Sequence, residues 1–390
     1  MPVVTFSLLV IVLTLILLGL IESRLHNNAI RSIPIRIHVN GTRGKSSVTR
    51  LIAAGLRGGG IRTVAKTTGS SPRFIDNMGD DHIIQRFRPA SIGEQIRMIS
   101  KFSKDEPEAI VMECMAVQPQ YQWVSEHKIL QSNYCVITNV RADHLEEMGY
   151  SHNHIAKSLS NTIPKNEKVF TSETDSVAPI INKSINNNSE INICDAKYMD
   201  KKYLEGFPFI EHPDNIALAL GVCNSIGISK ENAIKGMRSA NPDPGALSIL
   251  KIEIKKSSID FVNAFAANDP NSTLRTLDII KNHYNGKKKI AIFLNTRIDR
   301  QLRTQQLLDL VFKDINSDYL IIRGDNLDSD IAVRINYNKN LKFSLFKNND
   351  DMKLIIDKIS ELDDYVVVGI GNIVGWGEEF IKQLREYKNA

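Results

Sequence analysis

Asn40-Gly41-Thr42-Arg43-Gly44-Lys45-Ser46-Ser47, residues 40–47, is the stretch that decides the fold. It follows an apolar run at 33–39 that reads as a strand. After it come Val48, Leu51, Ile52, Gly55 and Leu56, spaced three and four apart as on one face of a helix. Strand, glycine turn and helix in that order make a phosphate cradle. The glycines let the backbone fold closely, so that successive N–H groups and the helix N-terminus point at an anion. In such a loop Lys45 reaches the β- and γ-phosphates of ATP, the Ser46 hydroxyl holds Mg²⁺, and Gly41, Thr42, Arg43, Gly44 and Ser47 line the nucleotide. Val39 and Asn40 stand where the general P-loop needs its first glycine, so this is the compressed Gly-Thr-x-Gly-Lys-Ser-Ser form.

Working outward, Gly58-Gly59-Gly60 closes the helix, and a strand at 63–67 runs into a Ser/Thr-rich loop that begins at Thr67-Thr68. Further short apolar strands are expected at 109–112 and 134–138, with helical patterns between. That alternation predicts a mostly parallel sheet covered on both faces. The Asn-rich stretch 184–190 reads as a loop, and a helix is expected over 215–226. Asn241-Pro242-Asp243-Pro244-Gly245 is the strongest breaker cluster in the chain and marks the domain boundary. Beyond it, strands expected at 259–263, 289–294, 319–322 and 365–368 make a second, smaller Rossmann-like α/β unit. The expected organisation is an anchor at 1–22, an ATP-binding domain at 33–243 and a C-terminal α/β domain at 246–390.

The anchor rests on residues 3–21, which carry no charge and are long enough for the roughly 20 residues that a bilayer span requires. No Lys or Arg precedes the run, unlike a cleaved signal peptide. Arg24, Arg31 and Arg36 follow it, so the positive-inside rule puts the rest of the chain in the cytoplasm. Residues 22–32 read as a short polar linker. The net charge of +5, from 49 basic and 44 acidic residues, is spread along the chain and gives no nucleic-acid footprint. Cys114, Cys135, Cys194 and Cys223 lie far apart with no CxxC pair, so neither a disulfide framework nor a zinc site is indicated and a reducing compartment fits.

Glu113 ends the apolar strand Ala-Ile-Val-Met-Glu, beside the phosphate loop. Ligands of open α/β sheets bind outside the carboxyl ends of the strands, and a carboxylate there can hold Mg²⁺. Asp143-His144 follows the next strand and emerges at the same edge. Gly369-Ile370-Gly371 has its third glycine too late for a dinucleotide fingerprint. Asn295, Arg297, Asp299 and Arg300 also follow a strand, where arginines pair with substrate carboxylates or form a surface ion-pair cluster.

From this loop outward the sequence resembles the Mur-ligase superfamily, and within it the ligase subunit of poly-γ-glutamate synthase, the CapB/PgsB family. The likeness runs through KTTGSSPR at 66–73, MECMAVQP at 112–119, TNVRADHLEEMG at 138–149, NPDPGAL at 241–247, NAFAANDPNST at 263–273, LNTRIDRQLRT at 294–304 and GIGNIVGWG at 369–377. It implies a membrane-anchored, ATP- and Mg²⁺-dependent amide ligase at the bacterial cell membrane. Such an enzyme adds glutamate through its γ-carboxyl to poly-γ-glutamate via an acyl phosphate, in an oligomer with small membrane subunits. It also implies metal roles for Glu113, His144 and Thr68, with Lys45, Glu113 and His144 catalytic, and nucleotide roles for Asn268 and Asp269. His212 and Asn215 resemble the superfamily's helix start near the nucleotide. As local readings, Thr68 sits in a plain turn, Asn268-Asp269-Pro270 begins a helix, and Pro213 initiates one. Gly245-Ala246 departs from the family's Gly-Arg, and the helical register of Lys157 does not suit the carbamylated lysine of many relatives. Two rival readings stand beside this one: an anchored folylpolyglutamate or muropeptide ligase, and a membrane-bound ATPase energising export.

Overall fold

The computed structural model describes residues 2–387 except 69–71, 87–90, 205, 208, 210, 243–246, 255–256, 266–269, 285–287, 298–300, 326 and 335–340. The chain divides into two compact units, Met1–Phe207 with Glu211–Asn241, and Pro208–Ile210 with Pro242–Ala390.

The first unit opens with α1 (Pro2–Arg31). The P-loop joins β1 (Ile35–Asn40) to α2 (Lys45–Gly58), and β2 (Thr63–Thr67) leads to the short strands β3 (Arg73–Ile75) and β4 (Asp81–Ile83). Next come α3 (Gly93–Phe102), β5 (Ala109–Glu113), α4 (Pro119–Val124), a π-helical segment Ser125–Leu130, β6 (Tyr134–Ile137), α5 (Leu145–Met148) and α6 (His152–Leu159). The unit finishes with β7 (Lys168–Thr171), α7 (Ala178–Asn186), β8 (Glu190–Ile193), α8 (Lys201–Leu204), α9 (Pro213–Ser225) and α10 (Lys230–Arg238). Its eight strands run β4-β3-β2-β5-β1-β6-β7-β8, parallel from β2 to β8, with β3 and β4 added antiparallel at one edge. Interior β1 pairs Val39 with Glu113 of β5 and Asn40 with Ile137 of β6. Three strands therefore end level with one another, and the loops that leave them meet at one edge.

Two expectations are corrected here. Residues 22–31 are helix, not linker: no glycine or proline interrupts the chain between 20 and 33, and Ile30 and Ile33 bury themselves against Met98, Ile99 and Phe102. The Asn-rich stretch is also mostly structured, because α7 runs through Asn186 and β8 starts at Glu190. Asn187 is drawn in by its side-chain amide, which donates to the carbonyl of Ile163 at 2.7 Å.

The second unit holds β9 (Ser248–Ile254), β10 (Ser257–Asn263), α11 (Pro270–Tyr284), β11 (Lys289–Asn295), α12 (Gln301–Lys313), β12 (Tyr319–Arg323), α13 (Asp328–Arg334), β13 (Lys342–Phe346), α14 (Met352–Ser360), β14 (Tyr365–Gly371) and α15 (Trp376–Glu386). Its sheet runs β13-β12-β11-β14-β10-β9 and is parallel except for β9 against β10. Side chains alternate across it. Ile292 and Leu294 of β11 face one core with Leu308 and Val368, while Ala291 and Phe293 face the other with Phe261, Phe265 and Phe380.

Candidate active site

The P-loop is shaped by what lies under it. Gly41 has φ +132°, and a Cβ there would collide with the Thr138 hydroxyl. Gly44 has φ +78°, and its Cβ would come within 2.8 Å of Asn215 Oδ1. Both positions therefore demand glycine, by conformation and by space. The residues just after β6 hold the loop in shape. Thr138 Oγ1 and Asn139 Nδ2 donate to the carbonyl of Arg43 at 2.6 and 3.0 Å. Asn139 Oδ1 accepts from Thr42 Oγ1 at 2.8 Å and from the Arg43 N–H at 3.1 Å.

Helix α2 opens at Lys45 with Gly44 as its cap residue and no side chain capping it. Its first N–H groups are thus offered to an anion, with the helix dipole behind them. Lys45 Nζ folds back over the loop, donating to the carbonyls of Gly41 and Thr42 at 2.7 and 3.2 Å.

Glu113 is the centre of the arrangement. The carboxylate is only 3% exposed, and its Oε2 accepts from Ser46 Oγ at 2.8 Å and from the backbone N–H of Thr68 at 2.7 Å. The hydrogen-bond partners of this buried carboxylate are neutral, and the nearby Lys66 ammonium is held by Glu94. Glu113 and Ser46 are hard oxygen donors of the kind Mg²⁺ takes, so the residues fit that ion. Ser46, Glu113 and Thr68 come together here, Thr68 through its backbone N–H.

Beside this centre, Lys66 is fully buried with Nζ 2.9 Å from Glu94 Oε1, and Arg86 binds the same carboxylate through Nε at 2.6 Å. Burial pushes the Lys66 ammonium below its ordinary value, against the pull of Glu94. Burial would raise the Glu94 carboxyl, but hydrogen bonds from Arg86 and Lys66 outweigh it and bring it to about 2. Gln95, next on α3, donates to the Glu113 carbonyl at 3.4 Å. This cluster stiffens the strand ends that carry Glu113 and Thr68.

His144 follows β6 in the left-handed conformation, φ 47°, half exposed, with its ring nitrogens 4.0 Å from Asp143 and Glu147 carboxylate oxygens. Arg43 Nε lies 3.7 Å from Asp143 Oδ2, which ties this segment back to the loop. Asn215 lies against Gly44, as the helix-start resemblance implies, whereas His212 caps α9 by accepting from the Asp214 N–H through Nδ1 at 3.3 Å. Lys157 is exposed on α6, and it is Ser158 that faces inward. Asn268, Asp269, Asp299 and Arg300 lie outside the described residues.

Sequence reasoning assigned no role to Thr138, Asn139, Asn40 or Gln122. The signal for the first three was present, since polar residues that directly end an apolar strand beside a P-loop strand have the loop within reach. Gln122 gave none, being one amide in a helix. Past Glu113 opens a cleft of about 450 Å³ lined by Ser91, Ile92, Met115, Val117, Gln118 and Tyr121, with Glu147 at its side. In the second unit a cleft of about 220 Å³ is lined by Thr296, Arg297, Gln301, Gln305, Asp325 and Asp330.

Comparison with known proteins shows the family. Residues 39–207 match the Mur ligase middle domain, and residues 249–387 match the poly-gamma-glutamate synthase CapB C-terminal domain. The chain is 36% identical to the PGA synthase CapB of Bacillus subtilis (strain 168), over 98% of both chains. It is 34% identical to the capsule biosynthesis protein CapB of Bacillus anthracis, over 95% of this chain and 81% of that one. In fold it resembles a bifunctional folylpolyglutamate synthase/dihydrofolate synthase from Yersinia pestis, complexed with AMPPNP and Mn ion. That likeness has a TM-score of 0.64 at 13% identity, over 93% of this chain and 92% of that one. The chain belongs to the CapB family of poly-γ-glutamate synthases and is an ATP-dependent amide ligase of the Mur type.

Proposed function

We propose that the enzyme joins glutamate through its γ-carboxyl to a growing poly-γ-glutamate chain by way of an acyl phosphate, at the cytoplasmic face of the membrane. A carboxylate oxygen attacks the γ-phosphorus of ATP and ADP leaves. The amine of the second partner then attacks the activated carbonyl carbon, phosphate departs, and the amine loses a proton as the amide forms. The difficulty lies in bringing anions together, so the protein's part is positioning and charge.

Each role rests on a feature of the first unit. The open N–H groups of α2 receive the phosphates, and Lys45 turns from the Gly41 and Thr42 carbonyls to the β- and γ-phosphates. Ser46 and Glu113 would hold Mg²⁺, which when bound draws the phosphate charge together, and exposed His144 offers a further ligand from the neighbouring strand end. The cleft past Glu113 takes the reacting end of the glutamyl chain. Arg297, in the second unit's cleft, offers a guanidinium to a substrate carboxylate. The exposed apolar helix α1 anchors the enzyme beside small membrane subunits that carry the product out.

The observation that carries this reading is the convergence of the P-loop hydroxyl Ser46 and the Thr68 N–H on buried Glu113. Membranes carrying the full chain and those subunits are given ATP, Mg²⁺ and labelled glutamate, with Lys45→Ala as control. Polymer is expected from the wild type alone. Polymer at the normal rate from Lys45→Ala, or ATP turnover that ignores glutamate, contradicts the reading.

A further inference from the structure

One buried amide joins the nucleotide loop to the wall of the neighbouring cleft. Gln122 of α4 is completely buried. Its Oε1 accepts from Asn40 Nδ2 at 3.1 Å, and its Nε2 donates to the Val117 carbonyl at 2.7 Å and to Ser158 Oγ at 3.2 Å. Asn40 is the last residue of β1, and its Oδ1 accepts from the Gly41 N–H at 2.8 Å, so it sets the first bend of the P-loop. The same Nδ2 also donates to Thr162 Oγ1 at 3.3 Å. Val117 lines the cleft that opens past Glu113.

We propose that Gln122 is a positioning residue for the ligase reaction, coupling the P-loop through Asn40 to the cleft wall at Val117. A loop that shifts to grip phosphate moves the Asn40 amide, and Gln122 has no spare polar atom and no solvent with which to absorb that movement. Its hydrogen bonds to Asn40 and Val117 must move together or break, and leaving buried donors and acceptors unpaired is costly. The wall at Val117 is therefore drawn into register when nucleotide is bound. This role rests on the cleft receiving the glutamyl acceptor.

The test uses the full chain in detergent, a γ-linked glutamyl oligomer as acceptor, and Gln122→Met, which keeps the volume and removes the hydrogen bonds. The expected result is a fall in kcat of about 30-fold and a rise in KM for the oligomer, with MgAMPPNP affinity within about threefold of wild type. Ser158→Ala, which leaves the Asn40–Gln122–Val117 line intact, is expected to keep kcat within about threefold. Unchanged kcat and KM in a folded Gln122→Met protein would overturn the coupling. A merely structural Gln122 would lower the unfolding midpoint and leave the kinetic constants alone. If Gln122→Met does not fold, hydrogen exchange on the wild type decides. MgAMPPNP is expected to slow exchange across 115–121 as well as 44–48, and slowing confined to 44–48 overturns the proposal. A wild type that turns over ATP without regard to the oligomer removes the ligase reading itself, and this role with it. Oligomer-dependent turnover that Gln122→Met leaves untouched removes only this role.

Discussion

At the scale of single residues the site depends on a few atoms with little freedom. Glu113 Oε2 is shared by the Ser46 hydroxyl and the Thr68 N–H inside a buried setting. Glu113→Gln keeps the shape but removes the charge that would hold the ion. The Mg²⁺ concentration for half-maximal activity is expected to rise about tenfold or more, read from a magnesium titration of ADP release. Gly41→Ala is expected to cut nucleotide affinity by about tenfold or more in a calorimetric titration, because the added methyl meets Thr138 and the φ of +132° disfavours it. Both residues were legible in the sequence, because glycine in a turn and a carboxylate at a strand end have few other uses at that edge. The supports beneath them were less so. Thr138 and Asn139 act on the loop from another strand, a contact that exists only once β1 and β6 pair.

Between elements, the first unit is tied together by a buried pair. His38 of β1 meets Glu126 of the π-helical segment at 2.8 Å, and the Glu126 carboxylate also accepts from Ser132 Oγ at 2.9 Å. Burial would lower the imidazole, but Cys114 and Glu126 outweigh it and raise it to about 10; the 2.8 Å contact makes Glu126 the firmer of those causes. The folded state thus binds a proton that the unfolded chain releases near 6.5, so this stability is fully present below pH 6.5 and is lost as pH rises through about 10. The urea midpoint of the full chain is expected to fall between pH 7 and pH 10, with a flatter profile in His38→Gln. Glu126→Gln, which leaves the imidazolium buried without its counter-charge, is expected to cost about 3 kcal/mol at pH 7. None of this shows in the sequence. His38 reads as one polar residue in an apolar strand, and its partner lies 88 positions away. The strand at 109–112 was legible because it is a short apolar run, and the one at 63–67 because it lies between the glycines at 58–60 and a Ser/Thr-rich loop. The short strand β3 and the edge strands β4 and β13 were not, since they are little buried and their pattern of residues is mixed.

Over the whole molecule, the apolar N-terminal helix and the ligase unit are one continuous structure. His26 Nε2 lies 2.8 Å from the Ile129 carbonyl, and Ile30 and Ile33 belong to the core around Met98, Ile99 and Phe102. Removing residues 1–25 is expected to leave a cooperatively folding enzyme that no longer sediments with membranes. Removing residues 1–33 strips two core isoleucines and is expected to destabilise the first unit by about 4 kcal/mol or more, measured by urea denaturation. The apolar N-terminal helix and the two α/β units were legible from hydropathy and alternation. The continuity of α1 was not, because residues 22–29 are mostly polar, with none fully buried before Ile30. The central claim is that the γ-phosphoryl of ATP passes to a carboxyl group. Synthesis from glutamate labelled with ¹⁸O in its γ-carboxyl tests this most directly, by mass spectrometry of the released phosphate. The expected result is one ¹⁸O transferred to phosphate for each amide formed; phosphate free of label, with its new oxygen drawn from water, would contradict it.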